Sequence, residues 1–130
     1  MKLLLDTNVA LWLAGDPASV RADTLDLLGE SATELLLSAV ISWEIAIKWR
    51  LGKLALPEHP RSWMPRLARE LGARTLPITQ SHTVEVADLP DHHRDPFDRL
   101  IIAQALVERC AVVTADPVFA RYGIEVIPAR

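Results

Sequence analysis

The sequence has a single cysteine, Cys110, in 130 residues. That excludes an internal disulfide and any cysteine-based zinc site. Cys110 stands at the start of an apolar run and reads as a buried structural thiol. No apolar stretch approaches the roughly 18 residues of a membrane span. The start, Met1-Lys2-Leu3-Leu4-Leu5-Asp6, meets a charge too early for a signal peptide. The expectation is a soluble, cytoplasmic protein with no membrane partner. Charge of one sign is also scarce: 14 Lys+Arg against 17 Asp+Glu leave a formal net charge of −3. This argues against a nucleic-acid coat protein. It leaves room for a nuclease, because a bound divalent cation reverses the field at its own site. No second histidine falls at zinc-ligand spacing. Gly52-Lys53 is not a phosphate-binding loop, since Leu54 follows and the upstream glycine is missing. There is no repeat, low-complexity tract or linker.

Half of the residues are hydrophobic, enough for one domain over residues 1–130 with its own core. Short unbroken apolar runs predict strands at 3–5, 34–38, 74–76, 111–114 and 125–127. Between them, apolar periodicity and stop residues predict helices at 8–14, 20–28, 42–51, 62–71, 80–87 and 96–109, and a helical turn at 118–122. Strands alternating with helices, each strand apolar throughout, indicate an α/β fold with a parallel sheet covered on both faces. In such sheets ligands gather at the C-terminal strand ends. Asp6 ends the run Leu3-Leu4-Leu5, and Asp116 lies just beyond Ala111-Val112-Val113.

Each acid has a structural alternative. Asp6, before Thr7 and Asn8, has the form of a helix cap. Glu44 has Val40, Ile41, Ile47 and Lys48 as its neighbours three and four residues away. An exposed Glu44–Lys48 pair would contribute only about 0.2–0.5 kcal/mol, too little to explain a carboxylate on an apolar stripe. Asp95-Pro96-Phe97-Asp98 opens the most regular helix: Asp95 suits the cap, Pro96 the first turn. Asp98 shares a face with Ile101, Ile102 and Ala105 and points inward. Asp116-Pro117 repeats the cap-then-proline grammar. Brought together, such acids repel: unit charges about 4 Å apart cost about 4 kcal/mol at an effective dielectric of 20. A cluster therefore needs protons or cations. Hard oxygen ligands without a His or Cys set match Mg²⁺ or Mn²⁺.

Weaker signals surround these acids. Asn8, Ser38 and Thr114 lie at or beside strand ends, where they would hydrogen-bond the ligands. Lys48 and Arg94 are candidate substrate contacts, although His92-His93-Arg94 also reads as a plain polar loop. Lys48, Arg50, Lys53, Arg61, Arg66, Arg69 and Arg74 concentrate positive charge mid-chain, as a solvated face or a phosphate-guiding surface. Trp12, Trp43, Trp49 and Trp63 read as core or interface residues.

The pieces Leu4-Leu5-Asp6-Thr7-Asn8, Ser42-Trp43-Glu44-Ile45-Ala46-Ile47-Lys48, Leu51-Gly52-Lys53-Leu54, the run from Asp95 to Ala105 and Val113-Thr114-Ala115-Asp116 stand in order along nearly the whole chain. Together they resemble the PIN-domain family, in particular the VapC-type ribonuclease toxins. The resemblance implies a PIN-like three-layer α/β/α sandwich with a central parallel sheet. It implies Asp6, Glu44, Asp98 and Asp116 as catalytic acids and ligands of Mg²⁺ or Mn²⁺, with Asp95 an additional acid beside them. It also implies a toxin restrained by a cognate antitoxin, a homodimer, and an RNA substrate, frequently transfer RNA.

The reaction expected is metal-assisted phosphodiester hydrolysis leaving 5′-phosphate and 3′-hydroxyl ends. Two other readings compete. An aspartyl phosphatase would use Asp6 as nucleophile, but usually needs a second acid where Asn8 stands. A catalytically silent interaction module would use the acids only as caps.

Overall fold

The computed structural model describes residues 1–130. Five strands form one sheet in the order β3-β2-β1-β4-β5, with every neighbouring pair parallel. They are β1 (Lys2–Leu5), β2 (Glu34–Ser38), β3 (Arg74–Leu76), β4 (Ala111–Thr114) and β5 (Val126–Pro128). Helices flank the sheet: α1 (Thr7–Gly15), α2 (Ala22–Leu28), α3 (Ala39–Arg50), α4 (Pro60–Leu71), α5 (Gln80–Glu85) and α6 (Pro96–Glu108). This is the expected α/β/α arrangement. The central strands read as continuous apolar runs because both faces are covered. Leu3, Leu4 and Leu5 are fully buried, as are Val112 and Val113 beside them. Each such side chain contributes about 1.5–3 kcal/mol by leaving water.

Every helix but α2 starts where a side chain takes up a free N–H group. α3 begins three residues earlier than its sequence suggests. Its cap is Ser38, whose Oγ accepts the Val40 N–H at 3.0 Å. Strand β2 thus passes into α3 without a loop. α4 starts at Pro60, behind a His59 cap, and tolerates Pro65 in its second turn. It stops at Gly72, whose φ of 63° is a left-handed conformation that suits glycine. The last strand is displaced one residue forward, so that Pro128 sits on the sheet edge, where a missing N–H costs least. Pro117–Tyr122 forms a 3-10 turn. No helix is long and apolar enough to cross a membrane.

From β1 the chain builds outward through β2 and β3, then crosses back to lay down β4 and β5 on the other side. The reversal falls between β1 and β4. In open parallel sheets that is where the connections diverge and leave a crevice at the C-terminal strand ends. Asp6 follows β1 directly, and Asp116 follows β4 by two residues.

Candidate active site

The crevice is a cavity of about 400 Å³ lined by Asp6, Glu44, Asp95, Asp98 and Asp116, with Thr7, Asn8, Trp12, Lys48, Ala115 and Arg130 completing the wall. Five acids separated by up to 110 residues therefore share one space. Topology brings them there. Asp6 and Asp116 come from the two strand ends, Glu44 from the second turn of α3, and Asp95 and Asp98 from the start of α6.

Hydrogen-bond donors join the acids in sequence. The Thr7 hydroxyl donates to Glu44 Oε1 at 2.7 Å, while the Thr7 N–H donates to Asp6 Oδ1 at 2.7 Å. The Thr114 hydroxyl donates to Asp6 Oδ2 at 2.7 Å and accepts the Asp116 N–H at 3.0 Å. His93 Nε2 meets Asp116 Oδ2 at 2.9 Å and lies 3.0 Å from Asp98 Oδ2. Asp95 Oδ1 accepts the backbone N–H groups of Phe97 and Asp98, so it caps α6 as its sequence position suggests. Asp116 Oδ1 likewise caps the turn that follows by accepting the Val118 N–H. Capping and site membership are thus not alternatives here. In Asp116 one carboxylate oxygen serves the backbone and the other meets His93.

Electrostatics mark the site as short of positive charge. Asp6 is 7% exposed and Glu44 5% exposed. Burial raises the Asp6 carboxyl above the usual carboxylate range, against the hydrogen bonds from Thr114 and Thr7, and the charges of Glu44 and Asp116 add to the rise. The Asp98 carboxyl is pushed up to about 7, first by burial, then by the charges of Asp6 and Asp95. The cations at the wall are few. Lys48 forms an ion pair with Glu44 Oε2, and Glu44 in turn raises the Lys48 ammonium. The Arg130 guanidinium lies 3.8 Å from the centre of the Trp12 ring. Asp98 Oδ1 and Asp95 Oδ2 accept no hydrogen bond from the chain. Crowded, partly desolvated carboxylate oxygens with free lone pairs are the donor set of a hard divalent cation.

Of the supporting residues expected from sequence, Thr114 bonds the acids directly, and Asn8 lines the cavity from an exposed position. Ser38 is not brought to the cavity. It lies one strand away from the β1/β4 crevice, and its hydroxyl is used by the α3 cap and by Gln104 Oε1 at 2.5 Å. Lys48 is at the wall, whereas Arg94 is exposed and outside it. The mid-chain basic residues do not form one free surface, because Arg66 pairs with Glu58 and Glu70, and Arg74 with Glu34. Only Trp63 among the tryptophans is buried in the core; Trp43 is 52% exposed and Trp12 lines the cavity. The sequence reads His93 as part of a polar loop or a phosphate contact, not as a partner of the acids, and gives Thr7 no role of its own. Each lies beside a recognised acid motif, within two residues of Asp95 or next to Asp6, and that adjacency is the one signal they carried.

The PIN-domain family model matches residues 3–125. Ribonuclease VapC22 of Mycobacterium tuberculosis is 32% identical over 115 residues, 88% of this chain and 86% of that protein. Ribonuclease VapC16 of the same organism is 39% identical over 61 residues, a match covering 47% of this chain and 43% of that protein. The structure of VapBC2 from Rickettsia felis, bound to a DNA fragment from its promoter, superimposes with a TM-score of 0.77 at 17% identity, covering both chains completely.

Proposed function

Since the chain belongs to the PIN-domain family, with VapC ribonucleases among its relatives, we propose that it is a divalent-cation-dependent endoribonuclease, the toxin of a toxin–antitoxin pair. The observation that carries this reading is the convergence of Asp6, Glu44, Asp95, Asp98 and Asp116 on one cavity. The relatives' names supply the substrate class, RNA, for which transfer RNA is the first candidate. VapBC2 of Rickettsia felis is bound to a DNA fragment from its promoter, which favours a cognate antitoxin as the partner. A homodimer is the proposed assembly. Trp43, Ile47 and Leu51, four residues apart on one side of α3 and its end, are 52%, 37% and 61% exposed and offer an apolar face to a second copy.

Asp6, Asp98 and Asp116 would hold Mg²⁺ or Mn²⁺, with Glu44 at its edge and Asp95 Oδ2 within the same wall. Such an ion supplies Lewis acidity and neutralises charge that develops on a phosphodiester under attack by water. The chain's own residues do the rest. Thr7 and Lys48 hold both oxygens of Glu44, so Glu44 presents its remaining lone pairs in a fixed direction, suited to orienting a water. Lys48 and Arg130, at the wall, suit the negatively charged backbone on either side of the scissile bond. Asp6 is badly placed to be a covalent nucleophile, because Thr7 and Thr114 occupy one lone pair on each of its oxygens.

The test is cleavage of RNA by the purified protein with Mg²⁺ and with EDTA, with both ends of the products mapped. Cleavage should stop in EDTA and leave 5′-phosphate and 3′-hydroxyl ends. Cleavage that persists in EDTA, or that leaves cyclic phosphates, would overturn the reading.

A further inference from the structure

His93 lies in a loop with no regular structure, yet it is held from every side. Its N–H donates to the Tyr122 hydroxyl at 2.6 Å. Its carbonyl accepts from Arg99 at 3.2 Å, and the same guanidinium also bonds the carbonyls of Pro90, Leu89 and Val86. The ring packs edge-on against Phe119, with centroids 5.9 Å apart. One nitrogen, Nδ1, accepts the backbone N–H of Asp95 at 3.2 Å. That bond fixes the tautomer: the Nδ1 lone pair is taken, so the ring proton sits on Nε2. Nε2 is the atom that meets Asp116 Oδ2 at 2.9 Å and Asp98 Oδ2 at 3.0 Å.

His93 Nε2 and the two carboxylates lie within 4.8 Å of one another, a spacing that on its face suits three ligands of one ion. Two observations speak against the imidazole as a ligand. Nε2 carries a proton in this tautomer and has no lone pair to give. His93 is also absent from the residues that line the cavity, whereas Asp98 and Asp116 both line it. The ring therefore approaches the carboxylates from the side away from the cavity.

We propose that His93 is a positioning residue of the site, whose Nε2–H donates to Asp116 while the same ring edge holds Asp98 at 3.0 Å, so that both acids are supported from behind with their remaining lone pairs facing the cavity. The inference rests on the nuclease reading for what enters the cavity, and on the geometry alone for how the two acids are held. Rigid outer support of this kind lowers the ordering cost of binding, and its removal elsewhere weakens metal affinity by roughly 10- to 100-fold.

The experiment is calorimetric titration of Mn²⁺ into the wild-type protein, His93→Gln and His93→Leu, with melting in EDTA as the folding control. Pulsed electron paramagnetic resonance of the bound Mn²⁺ completes it. His93→Leu should remain folded and lose roughly 10-fold or more in Mn²⁺ affinity. His93→Gln, which keeps an N–H donor, should recover most of that loss. The wild-type spectrum should show no directly coordinated nitrogen. Equal affinity of His93→Leu and wild type overturns the proposal, as does equal weakening of the Gln and Leu variants. A directly bound ¹⁴N would make His93 a ligand and overturn it as well. If His93→Leu does not fold, the Gln variant and the spectrum still decide. Should the wild type take up no Mn²⁺ at all, the nuclease reading itself falls.

Discussion

At the N-terminal ends of the strands, an acid stands beside an arginine; at the C-terminal ends acids stand beside one another. Glu34 opens β2 and Arg74 opens β3, and their side chains pair at 2.7 and 3.0 Å in an exposed setting. At the other end, Asp6, Glu44, Asp95, Asp98 and Asp116 share a wall in which Lys48 is the one cation paired with an acid. The sheet is the same and the residue types overlap. What differs is that the first end pairs Glu34 with Arg74, whereas the second links its acids through the donors Thr7, Thr114 and His93. The first arrangement serves solubility and adds little to stability. The second strains the fold electrostatically and is expected where a site must take up a cation.

The comparison breaks most visibly when one crowded acid is removed. Asp98→Asn should reduce RNA cleavage by roughly 10³-fold, about 4 kcal/mol of transition-state stabilisation. The protein should melt no lower than wild type in EDTA. Retained cleavage by Asp98→Asn in a gel assay would take Asp98 out of the site.

Titration without metal sharpens the contrast next. The Asp98 carboxyl stands at about 7 in the folded chain against an ordinary 3.8. Between those values the folded protein keeps a proton that the unfolded chain has released. This group's contribution to stability is therefore complete below about pH 4 and declines as pH rises towards 7. Asp6 shifts in the same direction. Each pKa unit corresponds to about 1.4 kcal/mol, and solvent screening of a partly buried group brings the total to roughly 1–3 kcal/mol. Urea unfolding in EDTA at several pH values should show this decline in the wild type and a flatter profile in Asp98→Asn.

The opposite end offers changes that leave the site untouched. Arg109, after α6, holds φ at 56°, a left-handed conformation unfavourable for a residue with a Cβ. Arg109→Gly should raise stability by up to about 1 kcal/mol, read from the urea midpoint, with cleavage unchanged. Smallest of all, Glu34→Ala should cost about 0.5 kcal/mol or less. A loss of cleavage in either variant would mean that the two ends are coupled.

The strands and α6 were legible because burial on both faces writes an apolar run, and cap-then-proline grammar marks helix starts. The acids stood out because Glu44 and Asp98 interrupt apolar stripes. The start of α3 was hidden: Ser38 reads as the end of a strand, and only the abrupt passage from strand to helix makes it a cap as well. Burial of Cys110 could be read from the run it opens, and burial raises its thiol above the ordinary value. His93 was illegible for a different reason. A loop residue has no periodicity to violate, and its partner Asp116 lies 23 residues away in sequence. Ser38 illustrates the converse error. A hydroxyl at a strand end resembles Thr114 in sequence, but β2 is one strand removed from the topological reversal. Position in the sheet, not residue type, decides which hydroxyl supports the acids.

The central claim is that the crowded acids exist to hold a divalent cation. Its most direct test is the melting temperature of the wild-type protein with millimolar Mg²⁺ against EDTA, measured at pH 5 and at pH 8. Uptake should raise the melting temperature, and raise it more at pH 8, where the carboxylates have lost their protons and repulsion is greatest. Identical melting with and without the cation at both pH values would contradict the account.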